Sequence, residues 1–180
     1  MFRVSFTGEL SFEINVPSRH GPALWTALMA AGAAFDITPY GTETMHVLRA
    51  EKGFIIVDQE TDGSVSPNDL GMDWIVSKTK ADFIGKRGLA RADLARGGRK
   101  QLVGLLASDP AVVLPEGAQI VEAVTPQPPM AMIGHVTSSY HSVTCGRSIA
   151  LALVADGRAR IGETVSPCLL YTSPSPRDIS

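Results

Sequence analysis

A glutamate near the N-terminus is the first side chain whose type and setting could do chemistry. The stretch FTGELSFEIN, residues 6–15, places Glu13 in a run where apolar Phe12, Ile14 and Val16 alternate with polar residues. This period of two predicts a strand with its apolar side chains on one face and Glu13 on the other. Glu13 then either faces solvent or lines a pocket, where a carboxylate accepts two parallel hydrogen bonds from N–H donors. The local sequence leaves both alternatives open.

A second acidic segment resembles a calcium-binding loop. The stretch DQETDGSVSPND, residues 58–69, carries carboxylates at several of the spacings that such loops use. A calcium loop joins two helices, whereas here the β-branched run FIIV precedes the segment and Pro67 interrupts its exit. We therefore predict a polar loop and no metal site.

The histidines and the basic residues offer weaker signals. No cysteine or acidic residue completes a metal-ligand spacing around the four histidines, so we predict core or surface roles for His20, His46, His135 and His141. Four arginines could contact phosphate, but two aspartates lie among them and the net charge is −2. A solvated helix face is the favoured interpretation of Arg87, Arg91, Arg96 and Arg99.

The composition is that of a soluble globular protein. The 180 residues are 44% hydrophobic and 19% charged, which suits one domain or two small ones. The near-neutral charge gives no general attraction for nucleic acid or anionic membrane, and no apolar run reaches the roughly 18 residues of a membrane span. The N-terminus lacks the pattern of a signal peptide, and two cysteines are too few to staple a secreted fold. We expect a cytoplasmic protein.

Both ends of the chain suggest a fragment. An amphipathic strand begins within a few residues of Met1, without an earlier strand to pair with. This predicts that the chain is an internal fragment of a longer protein. At the other end, the Ser/Pro-rich stretch CLLYTSPSPRDIS departs from the preceding pattern and resembles translated adapter sequence. We therefore expect residues 167–180 to be a non-native tail.

Two amphipathic helices are predicted in the first third of the chain. Apolar residues recur at helical spacing in RHGPALWTALMAAGA, residues 19–33, which predicts a helix packed on the sheet and ended by Gly32. In GTETMHVLRAEKG, residues 41–53, the pattern predicts a helix capped by Thr42 and terminated by Gly53. Its buried side is expected to hold Met45 and Leu48, with Val47 beside them.

The pattern of apolar residues changes near residue 100. Four short apolar runs follow, QLVGLLA, AQIVEA, AMIGHVTSS and RSIALALVA, each bounded by turn-forming residues. Several short strands at regular spacing predict a small barrel or sandwich. The basic stretch GKRGLARADLARGGRK, residues 85–100, is interpreted as a surface helix and a linker. This places a domain boundary near residue 98, between domains of residues 1–97 and 98–166.

Four segments resemble one known family in order and spacing. FTGELSFEINVP, LRAEKGF, ADFIGKRGL and GHVTSSYHSVTCGRSIALALV are similar to motifs of the folate-binding aminomethyltransferase family represented by the glycine-cleavage T-protein. The resemblance covers essentially residues 3–166. It implies an α+β fold, in which a fragment of the folate-binding aminomethyltransferase domain is followed by a small C-terminal β-barrel. It also implies one-carbon transfer to tetrahydrofolate.

The resemblance assigns folate-binding roles to three residues. Glu13 matches the glutamate that hydrogen-bonds the pterin amino and ring nitrogens, and Phe6 takes a place often held by tyrosine, where it can pack on the ligand. Arg49 either helps to hold folate or is a structural helix residue paired with a neighbouring carboxylate. Met45 stands where T-proteins commonly have an arginine. This difference favours a second branch of the family, the sarcosine oxidases, over the T-proteins themselves.

A longer segment points to that branch more closely. Residues 37–74 resemble the alpha subunits of heterotetrameric sarcosine oxidases. This implies an enzyme that oxidatively demethylates sarcosine to glycine, with flavin (FAD, FMN) and NAD bound outside this chain and with other subunits as partners. The family's catalytic aspartate lies upstream, so the resemblance implies no catalytic residue here and an inactive fragment. The alternatives are a T-protein, a dimethylglycine dehydrogenase, or a non-catalytic folate-binding assembly or regulatory module.

Overall fold

The computed structural model describes residues 1–125, 127 and 129–168. The chain divides into two compact units, the first spanning Met1–Phe54 and the second beginning at Ile55. In the first unit, a strand pair precedes two helices. The strands and helices are β1 (Phe2–Arg3), β2 (Phe12–Glu13), α1 (Gly21–Gly32) and α2 (Thr42–Glu51).

The strand pair of the first unit is much shorter than its sequence pattern predicts. Strands β1 and β2 are antiparallel, with Phe2 opposite Glu13, and each holds two residues. The apolar side chains of residues 12, 14 and 16 are all exposed. The prediction of one buried apolar face is therefore wrong for this chain, because the described part of this unit offers no layer to cover it.

Helix α1 has the predicted limits but not the predicted burial. It ends at Gly32, as expected, and a short 3-10 helix continues it. None of its residues is buried, and Trp25 and Leu28 are 57% and 40% exposed. The prediction that it packs on a sheet is wrong, since a pair of two-residue strands is too small to cover a helix of twelve residues.

The sequence predicted the C-terminal end of helix α2 correctly, but not the residue that caps its N-terminal end. Gly41, in extended conformation, is the N-cap and makes no side-chain cap bond, so the predicted capping role of Thr42 is wrong. Thr42 is instead the first helical residue. The predicted termination is confirmed: Gly53 has a φ of +72°, which favours glycine, and its amide bonds the carbonyl of Ala50 at 3.0 Å. The fully buried residues of this helix are Arg49 and Ala50, whereas the predicted core positions are half-buried.

The second unit is built on an antiparallel sheet of five strands, in the order β3-β6-β5-β4-β7. Four of the strands coincide with the four predicted apolar runs, which confirms those predictions. Two four-residue helices, α3 (Lys86–Leu89) and α4 (Ala92–Ala95), precede the sheet where one surface helix was expected. The strands are β3 (Lys100–Leu106), β4 (Gln119–Val121), β5 (Met132–Ser142), β6 (Arg147–Ala155) and β7 (Ser166–Cys168).

Both faces are buried along most of β6 and along residues 136–139 of β5. The core cluster on one face combines alternate residues of β5 and β6 with Ile120 of β4 and the preceding Ala118, namely Ala118, Ile120, Val136, Ala150, Ala152 and Val154. Gly134 of β5 is part of this close packing, because a Cβ there would lie 2.3 Å from the carbonyl oxygen of Leu153. Near the bulge that follows Val136, the loop that contains Gln59 and Glu60 is hydrogen-bonded to the sheet. Gln59 Nε2 donates to the carbonyl of Thr137 at 3.1 Å, and the buried Glu60 carboxylate accepts from the hydroxyl of Ser138.

The helices and strands leave two predictions open, namely the domain boundary and the non-native tail. The domain boundary near residue 98 stays a prediction. Of the predicted non-native tail, residues 167 and 168 belong to β7, and the remainder lies outside the described residues. Among the described residues, no helix is long and apolar enough to cross a membrane.

Candidate functional site

The segment of residues 6–9 packs along helix α2. The ring centroids of Phe6 and His46 are 6.4 Å apart, and the Glu9 carboxylate lies 2.9 Å from Nζ of Lys52. Gly8 has a φ of +83°, and a Cβ at this position would lie 2.6 Å from Cγ of Lys52. Glycine thus gives both the turn and the close approach to the lysine stem. The Thr-Gly-Glu motif is therefore held against α2 between His46 and Lys52, the residue that caps the C-terminal end of the helix.

Arg49 is buried at the C-terminal end of the same helix. Its side chain has no solvent exposure, and Nη1 donates to the carbonyl of Phe54 at 3.1 Å. The amide of Phe54 donates in turn to the carbonyl of Arg49 at 2.9 Å. A buried guanidinium is costly unless it is hydrogen-bonded, so these contacts help to fix the turn that follows α2. They support a structural role for Arg49, whereas its pairing with a carboxylate and its folate-binding role both stay predictions.

Glu13 lies at the end of β2 with its side chain exposed. It faces Phe2 across the strand pair, and the Phe6 side chain of the same motif is 38% exposed. Two of the three predicted residues, Phe6 and Arg49, are thus associated with α2, whereas Glu13 belongs to the strand pair. The accessible carboxylate and the accessible aromatic ring are the chemical groups that a flat ligand with N–H donors requires. Their ligand roles stay predictions.

The second unit contains a buried ion pair that the sequence interpretation missed. Arg99 Nη2 lies 2.6 Å from Asp69 Oδ2, and the side chains are 11% and 3% exposed. The guanidinium also donates to the carbonyl of Ser64 and to the carboxylate of Asp93. The prediction of a solvated Arg99 is therefore wrong. The spacing of Ser66 and Asp69, which bond each other, signals a local turn, but nothing in the sequence indicates a partner thirty residues away.

The environment of Asp69 lowers its pKa. Burial alone would raise this pKa, but hydrogen bonds from Arg99 and from the amide and hydroxyl of Ser66, with the positive charge of Arg99, outweigh it. A carboxyl group whose pKa is lower in the folded state stabilises the fold above its unfolded pKa. That contribution is lost as the pH falls through the folded pKa. The ion pair therefore acts as a pH-dependent clamp between the loop of residues 58–69 and the start of β3.

His135 borders a neighbouring cavity of about 340 Å³. The pKa of His135 is lowered, mainly by burial and also by the positive charge of Lys100. The negative charge of Asp62 acts in the opposite direction and is the smallest of the three effects. The surroundings of His135 therefore favour the neutral form of its imidazole. Asp62 accepts from the amide and hydroxyl of Ser64, whereas Asp69 pairs with Arg99, so these two carboxylates of the predicted polar loop have different partners. Among the described residues, no cluster of three or more acidic, histidine or cysteine residues could hold a metal ion.

Two family models match this chain in succession. The model described as GCVT N-terminal domain matches residues 1–80, and that of the glycine cleavage T-protein C-terminal barrel domain matches residues 100–167. The chain belongs to the glycine cleavage T-protein family. The predicted α+β fold is thereby confirmed, with the helices and strand pair in the N-terminal match and the five-stranded sheet in the barrel match. Between the two matches lie α3 and α4.

Within the glycine cleavage T-protein family, the chain is similar to two kinds of enzyme. It is 56% identical to sarcosine oxidase subunit alpha of Corynebacterium sp. (strain P-1), over 91% of this chain and 17% of the relative. The identity is 43% for sarcosine oxidase subunit alpha of Rhizobium meliloti (strain 1021), over 92% of this chain and 17% of the relative. An aminomethyltransferase of Cupriavidus taiwanensis is 36% identical over 91% of this chain and 40% of the relative. The chain thus spans about one sixth of the length of its sarcosine oxidase relatives.

Proposed function

We propose that the chain is the folate-binding portion of a sarcosine oxidase alpha subunit, together with the barrel that follows it. The observation that carries this proposal is the difference in identity over the same region, 43–56% to sarcosine oxidase alpha subunits against 32–36% to aminomethyltransferases. The proposed parent enzyme oxidises the N-methyl group of sarcosine, passes the two electrons through its flavin to O₂ to give peroxide, yields glycine and transfers the oxidised carbon to tetrahydrofolate as a methylene group. The names of the relatives include the word subunit, which supports a hetero-oligomer as the working form.

The exposed groups of the first unit fit a folate ligand. Glu13 offers two acceptor oxygens to the adjacent N–H donors of a pterin, and Phe6 offers an aromatic face for packing. Because Phe6 lies against His46 and Glu9 pairs with Lys52, the motif is anchored and loses little conformational entropy when a ligand binds. Tetrahydrofolate, when bound, supplies the nitrogen nucleophile that accepts the one-carbon unit. The residues of this chain bind the folate and orient it.

Arg49 has two alternative roles in this proposal. Its bond to the carbonyl of Phe54 fixes the end of α2, or its positive charge favours the negatively charged parts of folate. With Met45 in place of the family arginine, Arg49 is the remaining cation of this helix face that the family pattern associates with folate.

The oxidation step is assigned to other parts of the complex. The family's catalytic aspartate and the binding sites for FAD, FMN and NAD are proposed to lie outside this chain, and no residue of the chain is given a catalytic role. We therefore expect the 180-residue chain alone to be inactive. Sarcosine-dependent production of peroxide by this chain alone would contradict the assignment.

The proposed function is tested with the complete enzyme that contains this chain and its partner subunits. Sarcosine and tetrahydrofolate are supplied together, and the products are quantified by mass spectrometry. The proposal predicts glycine and methylene-tetrahydrofolate in equal amounts. Demethylation without any folate product, or with dimethylglycine as the preferred substrate, would contradict it.

A second candidate is an aminomethyltransferase of glycine cleavage. The observations that favour it are the family models and the relatives named aminomethyltransferase. The same folate site would then serve an enzyme that does not oxidise sarcosine. Folate-dependent release of ammonia from an aminomethyl carrier protein, with no turnover of sarcosine, would favour this candidate. Folate binding with neither activity would indicate a non-catalytic module.

A further inference from the structure

One face of the five-stranded sheet forms the floor of the cavity beside His135. Lys100 of β3 is opposite Ala155 of β6. His135 of β5 is opposite Leu153 of the same strand. Opposite residues share one face of a sheet, and residues two apart on a strand do so as well. Lys100 and His135 therefore project from the same face, on strands about 10 Å apart. Leu153 and Ala155 lie between them, and all four residues line the cavity of about 340 Å³.

The loop of residues 58–69 supplies a carboxylate to the same cavity. Oδ1 of Asp62 accepts hydrogen bonds from the amide and the hydroxyl of Ser64, at 2.7 and 2.6 Å. The carbonyl of Ser64 accepts in turn from Nη2 of Arg99 at 2.6 Å, so the buried ion pair of Arg99 holds this part of the loop in place. The bonds from Ser64, above all that from its hydroxyl, lower the pKa of Asp62 and favour its charged form. The second oxygen, Oδ2, keeps acceptor capacity for a ligand.

The charged groups of the cavity are balanced except for one cation and one anion. Four of the charged side chains that line it form two ion pairs, namely Arg99 with Asp69 and Arg96 with Asp93. Among the described residues, none accepts a hydrogen bond from the Lys100 ammonium group, and no carboxylate pairs with it. Lys100 and Asp62 are therefore not paired with each other, although both charges act on the pKa of His135. Space for a bridging molecule remains between them.

One unpaired positive group and one unpaired negative group define the chemistry of a ligand. A ligand with a single charge would leave one of the two groups without a partner. A zwitterion satisfies both, with its ammonium group at Asp62 and its carboxylate at Lys100. The neutral form of His135, which its surroundings favour, adds an acceptor nitrogen for the ammonium group. The cavity volume lies near the lower end for small-molecule sites, and Leu153 and Ala155 give it an apolar floor.

We propose that this cavity binds a small α-amino acid as its zwitterion, with Asp62 and His135 holding the ammonium group and Lys100 holding the carboxylate. The ligand has an uncharged side chain, because the other charged groups of the cavity are paired with each other. Glycine is the smallest molecule with this chemistry. All of these residues belong to the second unit, so the site is independent of the folate-binding role proposed for residues of the first.

The test titrates the full chain with glycine and follows the NMR signals of the His135 ring and of the Ser64 and Lys100 amides. The proposal predicts saturable shifts at all three positions. Methylamine and acetate each carry one of the two charges, and glycine betaine carries both but has no N–H donor. Each of these three probes is expected to bind at least about tenfold more weakly than glycine. No saturable binding of glycine, or equal binding of the other probes, would overturn the proposal.

Matched variants test the two charged contacts. Lys100→Met and Asp62→Asn each remove one charge with little change in side-chain size, and each should weaken glycine binding by about tenfold or more. Arg96→Met removes an exposed charge from the same cavity, one that is paired with Asp93, and should leave the affinity within about twofold. Equal weakening by all three variants would indicate a general electrostatic effect and overturn the assigned contacts.

A second measurement does not require the 180-residue chain to fold alone. Equilibrium dialysis with radiolabelled glycine is made on the complete enzyme that contains this chain and its partner subunits. The unmodified enzyme is expected to bind one more glycine per copy of this chain than its Lys100→Met variant. Equal numbers of bound glycine molecules would overturn the proposal, whatever the outcome of the folate experiments.

Discussion

The two compact units of this chain are stabilised by different kinds of contact. In the second unit, alternate residues of β5 and β6 form a closed cluster with Ile120 of β4, and both faces of β6 are buried. In the first unit, the described buried residues are Thr7, Arg49 and Ala50, and helix α1 buries none. The sheet owes its stability to tertiary burial, whereas the helices of the first unit owe more to local hydrogen bonds. The candidate folate residues thus belong to the unit with the smaller core, and the ion pair of Asp69 belongs to the one with the larger.

The largest effect is expected from the ion pair. Asp69→Ala removes the buried carboxylate closest to the largely buried Arg99 and should lower the free energy of unfolding by about 3 kcal/mol, the low end for breaking a buried pair, because Arg99 keeps its contact with Asp93. Asp93→Ala removes an exposed partner of the same arginine and should cost at most about 1 kcal/mol. Urea unfolding followed by circular dichroism measures both. Equal losses for the two variants would show that burial does not distinguish them.

Truncating one leucine in each unit compares how much a side chain of that unit contributes to stability. Leu153→Ala in β6 removes a buried side chain and should cost about 2–5 kcal/mol. Leu28→Ala in α1 removes an exposed side chain and should change the stability by less than about 0.5 kcal/mol. Thermal unfolding of the chain measures the difference. A large loss for Leu28→Ala would mean that α1 is packed in solution.

A smaller effect is expected from pH. The pKa of Asp69 is lowered in the folded protein, so its contribution is complete above its unfolded pKa and is lost as the pH falls through its lower folded pKa. We expect the stability of the chain to decrease in acid, and to decrease less in Asp69→Asn, which cannot ionise. Unfolding midpoints measured at intervals from neutral to acidic pH test this. Parallel curves for the two proteins would contradict it.

The success of the sequence interpretation depended on the range of the interactions. Strands β3, β4, β5 and β6 were predictable, because short apolar runs bounded by turn-forming residues are local signals. The end of α2 at Gly53 was predictable for the same reason. The partner of Asp69 and the exposure of α1 were not, since both depend on residues far apart in sequence. The roles proposed for Glu13 and Phe6 came from motif resemblance, because the alternation around Glu13 alone did not point to a ligand role.

The most direct test of the account is the affinity of the complete enzyme for tetrahydrofolate. Glu13→Gln keeps the shape of the side chain but removes its charge, and Glu9→Gln makes the same change in the carboxylate that pairs with Lys52. Isothermal titration calorimetry compares both variants with the unmodified enzyme. The account predicts that Glu13→Gln weakens folate binding by about 1–3 kcal/mol, roughly 5- to 150-fold, and that Glu9→Gln has a much smaller effect. Unchanged affinity in Glu13→Gln would instead make Glu13 a solvated residue and contradict the proposed site.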